Sequence, residues 1–337
     1  MTQIATVEEL DRFLVEHHLL GKTATYQAPP PRKGNTAYHW KWEGIYPALM
    51  ESARLISIGP GGDTGMRSVT GVEARRFPIW LNTQIVMPGE RTEAHRTMRS
   101  ETRLVLEAPE EGSTFVCEFE AYPMERGDVV ISPPFTYHDH WNQGDRPAIF
   151  VDGYDDGWNR GKIFGNKLPD NASYQEVTRP RGYSLDTQGL VRRASDGRPF
   201  PLPPMHYPWR ETEAALNTLR AAEVDADPYD GLFLMFSNPI DRGPTLPTMS
   251  WNVQLLTPRQ KLKAHRHNSN VFYHAFEGEG VTEIEGERLE WHKGDIFAVP
   301  PWTWHSHENT SSGDTILFSI DDWPAMKSVG FYAEETT

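Results

Sequence analysis

Three histidines in the second half of the chain, His265, His267 and His305, have the type and spacing that hold a metal ion. His265 and His267 stand two apart in AHRHNSN, so on a β-strand both rings point to one face and Arg266 between them points to the other. His305 arrives from a later strand, 38 residues after His267. Three imidazoles converging inside a barrel, with the remaining coordination positions open, suit Fe(II), Mn(II), Cu or Zn. A related set stands in the first half, where His95 and His138 are present but Thr97 occupies the place of His267. Glu101 lies an even number of residues beyond His95, and an unbroken strand would point both inward. His95, Glu101 and His138 would then make the two-histidine, one-carboxylate face of non-haem iron oxygenases. The alternative is that Glu101 is a solvated strand residue and this half holds no metal.

The two sets belong to one repeated unit. TQIVMPGERTEAHR (83–96) matches VQLLTPRQKLKAHR (253–266), so that Gln84, Pro88, Ala94, His95 and Arg96 recur 170 positions later. MERGDVVISPPFTYHDHWN (124–142) matches WHKGDIFAVPPWTWHSHEN (291–309), with Gly127, Asp128, Pro133, Pro134, Thr136, His138, His140 and Asn142 recurring 167 positions later. The Gly-Asp pair reads as the turn feeding the next strand. Short β-rich runs such as TRLVLEA, STFVCEFEAY and DVVISPP, separated by turn residues, surround both blocks. The expected fold is all-β, with two double-stranded β-helix (jelly-roll) barrels in tandem. A helical arm with loops spans 1–70, the first barrel 71–155, a connector 156–235 and the second barrel 236–330. Thr6 and Glu9 form a capping-box pattern that opens an amphipathic helix, and ETEAALNTLRAAEV is a helical patch in the connector. QAPPPRKG and the Gly-rich IGPGGDTGM read as loops; the latter lacks the Lys-Ser/Thr of a phosphate cradle.

Composition narrows the partners. The 337-residue chain carries 47 Asp plus Glu against 33 Lys plus Arg, a formal charge of −14, which argues against a nucleic-acid backbone as partner. It contains no apolar stretch long enough for a membrane span and no basic-then-apolar leader. Cys117, the single cysteine, permits no intrachain disulfide, sits in a strand-like run as a small buried hydrophobe, and fits a reducing, cytoplasmic setting.

The paired blocks resemble the cupin superfamily, whose first motif is H-x-H followed three or four residues later by Glu and whose second ends in a Pro-containing strand and His. From about residue 70 to 325 the chain resembles, more narrowly, the bicupin ring-cleaving dioxygenases that act on gentisate, salicylate and 1-hydroxy-2-naphthoate. The resemblance implies a non-haem Fe(II) enzyme, with Mn or Zn suited to the same donors. It implies extradiol-type cleavage of a hydroxylated aromatic carboxylic acid by O2, between the carboxyl-bearing and hydroxyl-bearing carbons. It also implies a homodimer or homotetramer. The family's pocket residues map onto Trp80, Gln84, Arg103, His140 and Asp152. Arg103 would clamp the substrate carboxylate through its planar guanidinium. His140 would move a proton, a role that suits an ordinary histidine pKa near ~6.5. The family holds iron in the N-terminal barrel with three histidines, whereas here Thr97 interrupts that set and the complete one lies in the second barrel. A different cupin metalloenzyme (an isomerase or another dioxygenase), or a non-enzymatic metal- or ligand-binding bicupin, are the alternative readings.

Overall fold

The computed structural model describes residues 4–21, 37–58, 62, 67–71, 77–158, 165–169, 172–188, 202–222 and 226–337. The loop QAPPPRKG and most of IGPGGDTGM lie outside the described residues. The chain divides into two compact units, one built on 80–209 and the other on 210–337 together with the described residues 37–45.

In the first unit two five-stranded antiparallel sheets form the walls of a barrel. One orders its strands Gly165–Lys167, His95–Thr97, His138–Asn142, Ser113–Cys117 and Glu120–Pro123; the other Met205–Tyr207, Val129–Ser132, Glu101–Glu107, Ala148–Tyr154 and Trp80–Val86. β-Branched and aromatic residues dominate these runs because they pack well on a pleated surface. Val86, Val105, Val130 and Phe150 of one sheet face Phe115, Cys117 and Tyr122 of the other in a closed core, each fully buried side chain contributing about 1.5–3 kcal/mol. Cys117 is free and buried there, as expected of a small hydrophobe.

The second unit repeats the plan. Its sheets run Leu232–Met235, Ser250–Leu256, Thr315–Asp321, Val271–Glu277, Ile296–Val299 and Tyr38–Trp40 on one side, and Glu287–His292, Glu279–Ile284, His305–Asn309, His265–His267 and Glu334–Thr336 on the other. Val271, Tyr273, Phe297 and Leu317 pack against Ile284 and Trp291. Two jelly-roll barrels in tandem therefore stand as the sequence predicts.

Two edge strands come from segments that carried no strand signal. Tyr38–Trp40 pairs with Ile296–Val299, and Met205–Tyr207 pairs with Val129–Ser132. Each leads into a helix, Trp42–Leu55 or Trp209–Ala221, and the repeated Gly-Asp locks each in place. Asp295 accepts hydrogen bonds from the Trp42 amide (2.8 Å) and pairs with His39 Nε2 (2.9 Å). Asp128 does the same for Trp209 (2.7 Å) and His206 (2.8 Å). The preceding glycines, Gly127 at φ +90° and Gly294 at φ +93°, leave no room for a Cβ, which would meet the indole of Trp209 or Trp42. The Gly-Asp pair is thus a turn, as expected, and a helix cap as well. The N-terminal helix Val7–Glu16 starts at Thr6, whose hydroxyl accepts from the Glu9 amide.

Candidate metal centres

In the second barrel the strand His265–His267 runs beside His305–Asn309, with His265 directly opposite His305. Period-two alternation turns His265 and His267 to the interior, while Arg266 points away between Trp302 and Trp304 and pairs with Glu335. One donor atom from each of His265, His267 and His305 lies within 4.8 Å of the other two. The repeated Pro-Pro-x-Thr-x-His motif explains how the ring is aimed. Thr303 Oγ1 donates back to the Pro300 carbonyl (2.6 Å), and the Thr303 carbonyl accepts from His305 Nδ1 (3.0 Å). That fixes the proton on Nδ1 and leaves the Nε2 lone pair, buried and without a hydrogen-bond partner, for a metal. His267 Nδ1 is held by the Ser269 hydroxyl at 2.8 Å. Burial, then the neighbouring imidazole of His267, lowers His265 to about 4. Burial likewise lowers His267 and pushes His305 well below the usual range. All three are neutral at physiological pH, the state that ligates. The donor set fits a divalent transition metal.

Two of the three rings, His265 and His267, line a cavity of about 320 Å3 together with Asn252, Tyr273, Trp323 and Lys327 among others. Pockets for small molecules start at about 300 Å3. Asp230, Asp321 and Glu334 also reach its wall, and Lys327 is the single Lys or Arg among its lining residues.

The first barrel brings His95, Glu101 and His138 to the equivalent place, again with one donor atom each within 4.8 Å of the others. Thr136 fixes His138 Nδ1 as Thr303 fixes His305, and the Glu93 carbonyl holds His95 Nδ1 (3.0 Å). Glu101 arrives differently from the expectation of an unbroken strand. The strand ends at Thr97, and Glu101 opens the next one in the other sheet, so it reaches the cluster by turning a corner. Nor is it solvated. It is 2% exposed and accepts from Arg99 Nε (3.1 Å), Arg103 Nη2 (3.0 Å) and Thr97 Oγ1 (3.1 Å), with His138 Nε2 3.1 Å away. Burial alone would raise this carboxyl; Arg99, His138 and Arg103 together hold it well below the usual carboxylate range. Burial lowers His138 to about 4 in spite of Glu101.

The residues expected to form a substrate pocket gather around this cluster, engaged with one another. Arg103, placed opposite Asp152 by the strand register, spends its guanidinium on Asp152 (3.0 Å) and Glu101, so the chain's own carboxylates fill the clamp. Asp152 also accepts from Tyr154 (3.1 Å), and burial pushes it up to about 6 against the pull of Arg103. Gln84 donates to Tyr154 (3.0 Å), and Trp80 packs on the Tyr154 ring and donates to Asp156. His140 departs from expectation. Its ring lies against Phe115 and Phe150, and neither nitrogen has a hydrogen-bond partner. Burial, then Arg103, drives it well below an ordinary histidine, so the ring resists taking up a second proton. Sequence reasoning missed Arg99, which bears on Glu101 and Asp156 and lies 4.0 Å over the Tyr154 ring; no motif marks it. It also missed the cavity residues Asp230, Tyr332 and Glu334. The arms were findable, since His39 and Trp42 recur as His206 and Trp209 at the same 167-residue offset.

Two jelly-roll barrels, each aiming histidines from facing strands at one point, define a bicupin metal protein. The cupin domain profile matches residues 252–321, within the second barrel. The chain is 32% identical to 5-aminosalicylate 1,2-dioxygenase of Comamonas sp, over 92% of this chain and 84% of the relative. It is 33% identical to 1-hydroxy-2-naphthoate 1,2-dioxygenase of Nocardioides sp. (strain KP7), over 99% and 88%, and 33% identical to gentisate 1,2-dioxygenase of Haloferax sp, over 88% and 86%. Among solved structures, salicylate 1,2-dioxygenase of Pseudaminobacter salicylatoxidans superposes with a TM-score of 0.74 at 23% identity, covering 91% of this chain and 89% of that one, which supports the fold. The chain belongs to the bicupin family of aromatic-acid 1,2-dioxygenases.

Proposed function

We propose that this protein uses O2 to open the ring of a hydroxylated aromatic carboxylic acid at an iron ion held by His265, His267 and His305. The observation that carries the reading is the convergence of three neutral imidazoles, two of which line a cavity of about 320 Å3. The kinship with dioxygenases of 5-aminosalicylate, gentisate and 1-hydroxy-2-naphthoate supplies the reaction class. Iron(II) bound there would supply the one-electron chemistry that lets oxygen react with a closed-shell ring. The chain's own part is to keep the ligands deprotonated, to admit one aromatic ring, and to offset the substrate carboxylate with Lys327 as a point charge. The cut falls between the carboxyl-bearing and hydroxyl-bearing carbons, the extradiol-type outcome expected above.

A second reading has its own support. His95, Glu101 and His138 also converge, with Trp80, Gln84, Arg103, His140 and Asp152 nearby as the substrate pocket. A metal there must share Glu101 with Arg99 and Arg103, and for that reason the second barrel is preferred. A cytoplasmic location and a homo-oligomer complete the proposal; no described helix is long and apolar enough to cross a membrane.

Oxygen uptake and loss of ring absorbance, followed with gentisate, salicylate, 5-aminosalicylate and 1-hydroxy-2-naphthoate, test the reaction. The expected result is one O2 consumed per acid opened, with protein loaded with iron and not with Zn. Iron-loaded protein that consumes no O2 with any of the four would overturn the proposal.

A further inference from the structure

Residues 268–270 join the strand His265–His267 to the strand Val271–Glu277, and each is tied to a different neighbour. Asn268 exchanges hydrogen bonds with Ala333, its amide donating to the Ala333 carbonyl (3.1 Å) and its Oδ1 accepting from the Ala333 amide (3.0 Å). Ser269 holds His267 Nδ1 through its hydroxyl (2.8 Å). Asn270 is gripped by Asp322: its amide donates to Oδ1 (2.7 Å) and its Nδ2 to Oδ2 (2.6 Å). Asp322, Asn270 and Ser269 are all buried. Asp322 stands at the N-cap of the helix Trp323–Ser328, where an aspartate ordinarily accepts from first-turn amides. Its side chain makes no capping bond, and both oxygens go to Asn270 instead. The first barrel offers an internal comparison. There Asp155 takes the Ser100 amide in the same way (2.8 Å). Ser100 has no side-chain amide to give, and the strand before it carries Thr97 in place of a histidine. The two-point grip belongs to the barrel that has three histidines.

A charge-assisted hydrogen bond made at two points in a buried setting fixes both distance and orientation. Asp322 thereby fixes residue 270, and Ser269, its chain neighbour, is placed where its hydroxyl meets the His267 ring. The groups behind a metal ligand set its ring orientation, and losing one typically costs about 10–100-fold in metal affinity. We infer that Asp322 is a positioning residue of the second-barrel metal centre, acting through Asn270 and Ser269 on His267. It is no ligand itself, since both of its oxygens are occupied by Asn270. The inference rests on the reading that His265, His267 and His305 hold a metal. The helix that Asp322 opens also carries Trp323 and Lys327 on the cavity wall, so the same grip ties that wall to the metal-binding strand.

Exchanging the pair tests this in the full chain, with cobalt(II) as the probe. All variants carry His95→Ala as the parent change, so that the first barrel contributes no cobalt signal. Asn270→Asp sets two carboxylates against each other and should weaken cobalt binding about 10-fold in chelator competition. Adding Asp322→Asn restores one donor and one acceptor on opposite sides and should bring affinity back to within about 3-fold of the parent. Asp322→Ala, which removes the grip without adding repulsion, should match the loss in Asn270→Asp and decides the point if that variant does not fold. The visible absorption of bound cobalt separates positioning from general loosening. With His267 displaced, the single variants should approach the spectrum of His267→Ala, and the exchanged pair should keep that of the parent. Parent affinity in both single variants overturns the inference and leaves the metal centre standing. So does weaker binding with an unaltered spectrum, or an exchanged pair as weak as Asn270→Asp. Cobalt binding that His265→Ala and His267→Ala leave unchanged overturns the metal reading, and the inference with it.

Discussion

Replacing Glu101 by Gln distinguishes a carboxylate that holds the first barrel together from one that holds a metal. The side chain is 2% exposed and is the shared counter-charge of Arg99 (3.1 Å) and Arg103 (3.0 Å). Losing one partner of a buried ion pair costs about 3–5 kcal/mol. Arg103 keeps Asp152 and Arg99 keeps Asp156, so the lower end, about 3 kcal/mol, applies. For a unit of this size that is a fall in Tm of about 6–12 °C. Because Glu101 is held well below its usual range, its stabilisation is fully present above the unfolded carboxylate pKa. It is lost only as pH falls through the lower folded value, so the deficit of the variant should be constant from pH 8 to 5. Thermal unfolding followed by tryptophan fluorescence, with metal counted per chain, is the assay. A variant that unfolds at the wild-type temperature while losing a bound metal would refute the structural role and make Glu101 a ligand.

Three further outcomes follow from the geometry. Asp295→Ala and Asp128→Ala each remove a helix cap and the partner of a partly buried histidine, and should each cost about 2–3 kcal/mol in urea unfolding; a loss below about 0.5 kcal/mol contradicts the locking role. Ser269→Ala frees the His267 ring and should weaken metal binding about 10-fold in chelator competition, whereas unchanged affinity would mean the Ser269 carbonyl orients the ring alone. Asp230, raised to about 7, binds its proton more tightly folded than unfolded, so the fold loses stability as pH rises from about 4 to 7. Asp230→Asn should therefore match wild type near pH 4 and exceed it by up to about 4 kcal/mol at pH 8, and a gain independent of pH contradicts the cause given for the shift.

The histidine set of the second barrel was legible because a strand has period two and because the motif occurs twice, which fixes both the face and the partner strand. Arg266 points away for the same reason. Glu101 was harder. Parity along a strand holds only while the strand continues, and the chain turns a corner between Thr97 and Glu101. Arg103 was read as the clamp for a substrate carboxylate, but its engagement by Asp152 depends on a register between strands far apart in sequence. The arms at Tyr38–Trp40 and Met205–Tyr207 are three residues each, too short for periodicity to register. Glu334 lies beyond the expected end of the second barrel, on a strand with no apolar residue. What defeats reading from sequence here is pairing between distant segments, and those pairings build the walls of the cavity.

The central claim is that the metal and the reaction reside in the second barrel. Iron per chain and oxygen uptake, measured side by side in His265→Ala and His95→Ala, address it directly. The account predicts that His265→Ala loses both the iron and the turnover while His95→Ala keeps both. Loss of iron and activity in His95→Ala, with His265→Ala unaffected, would contradict it.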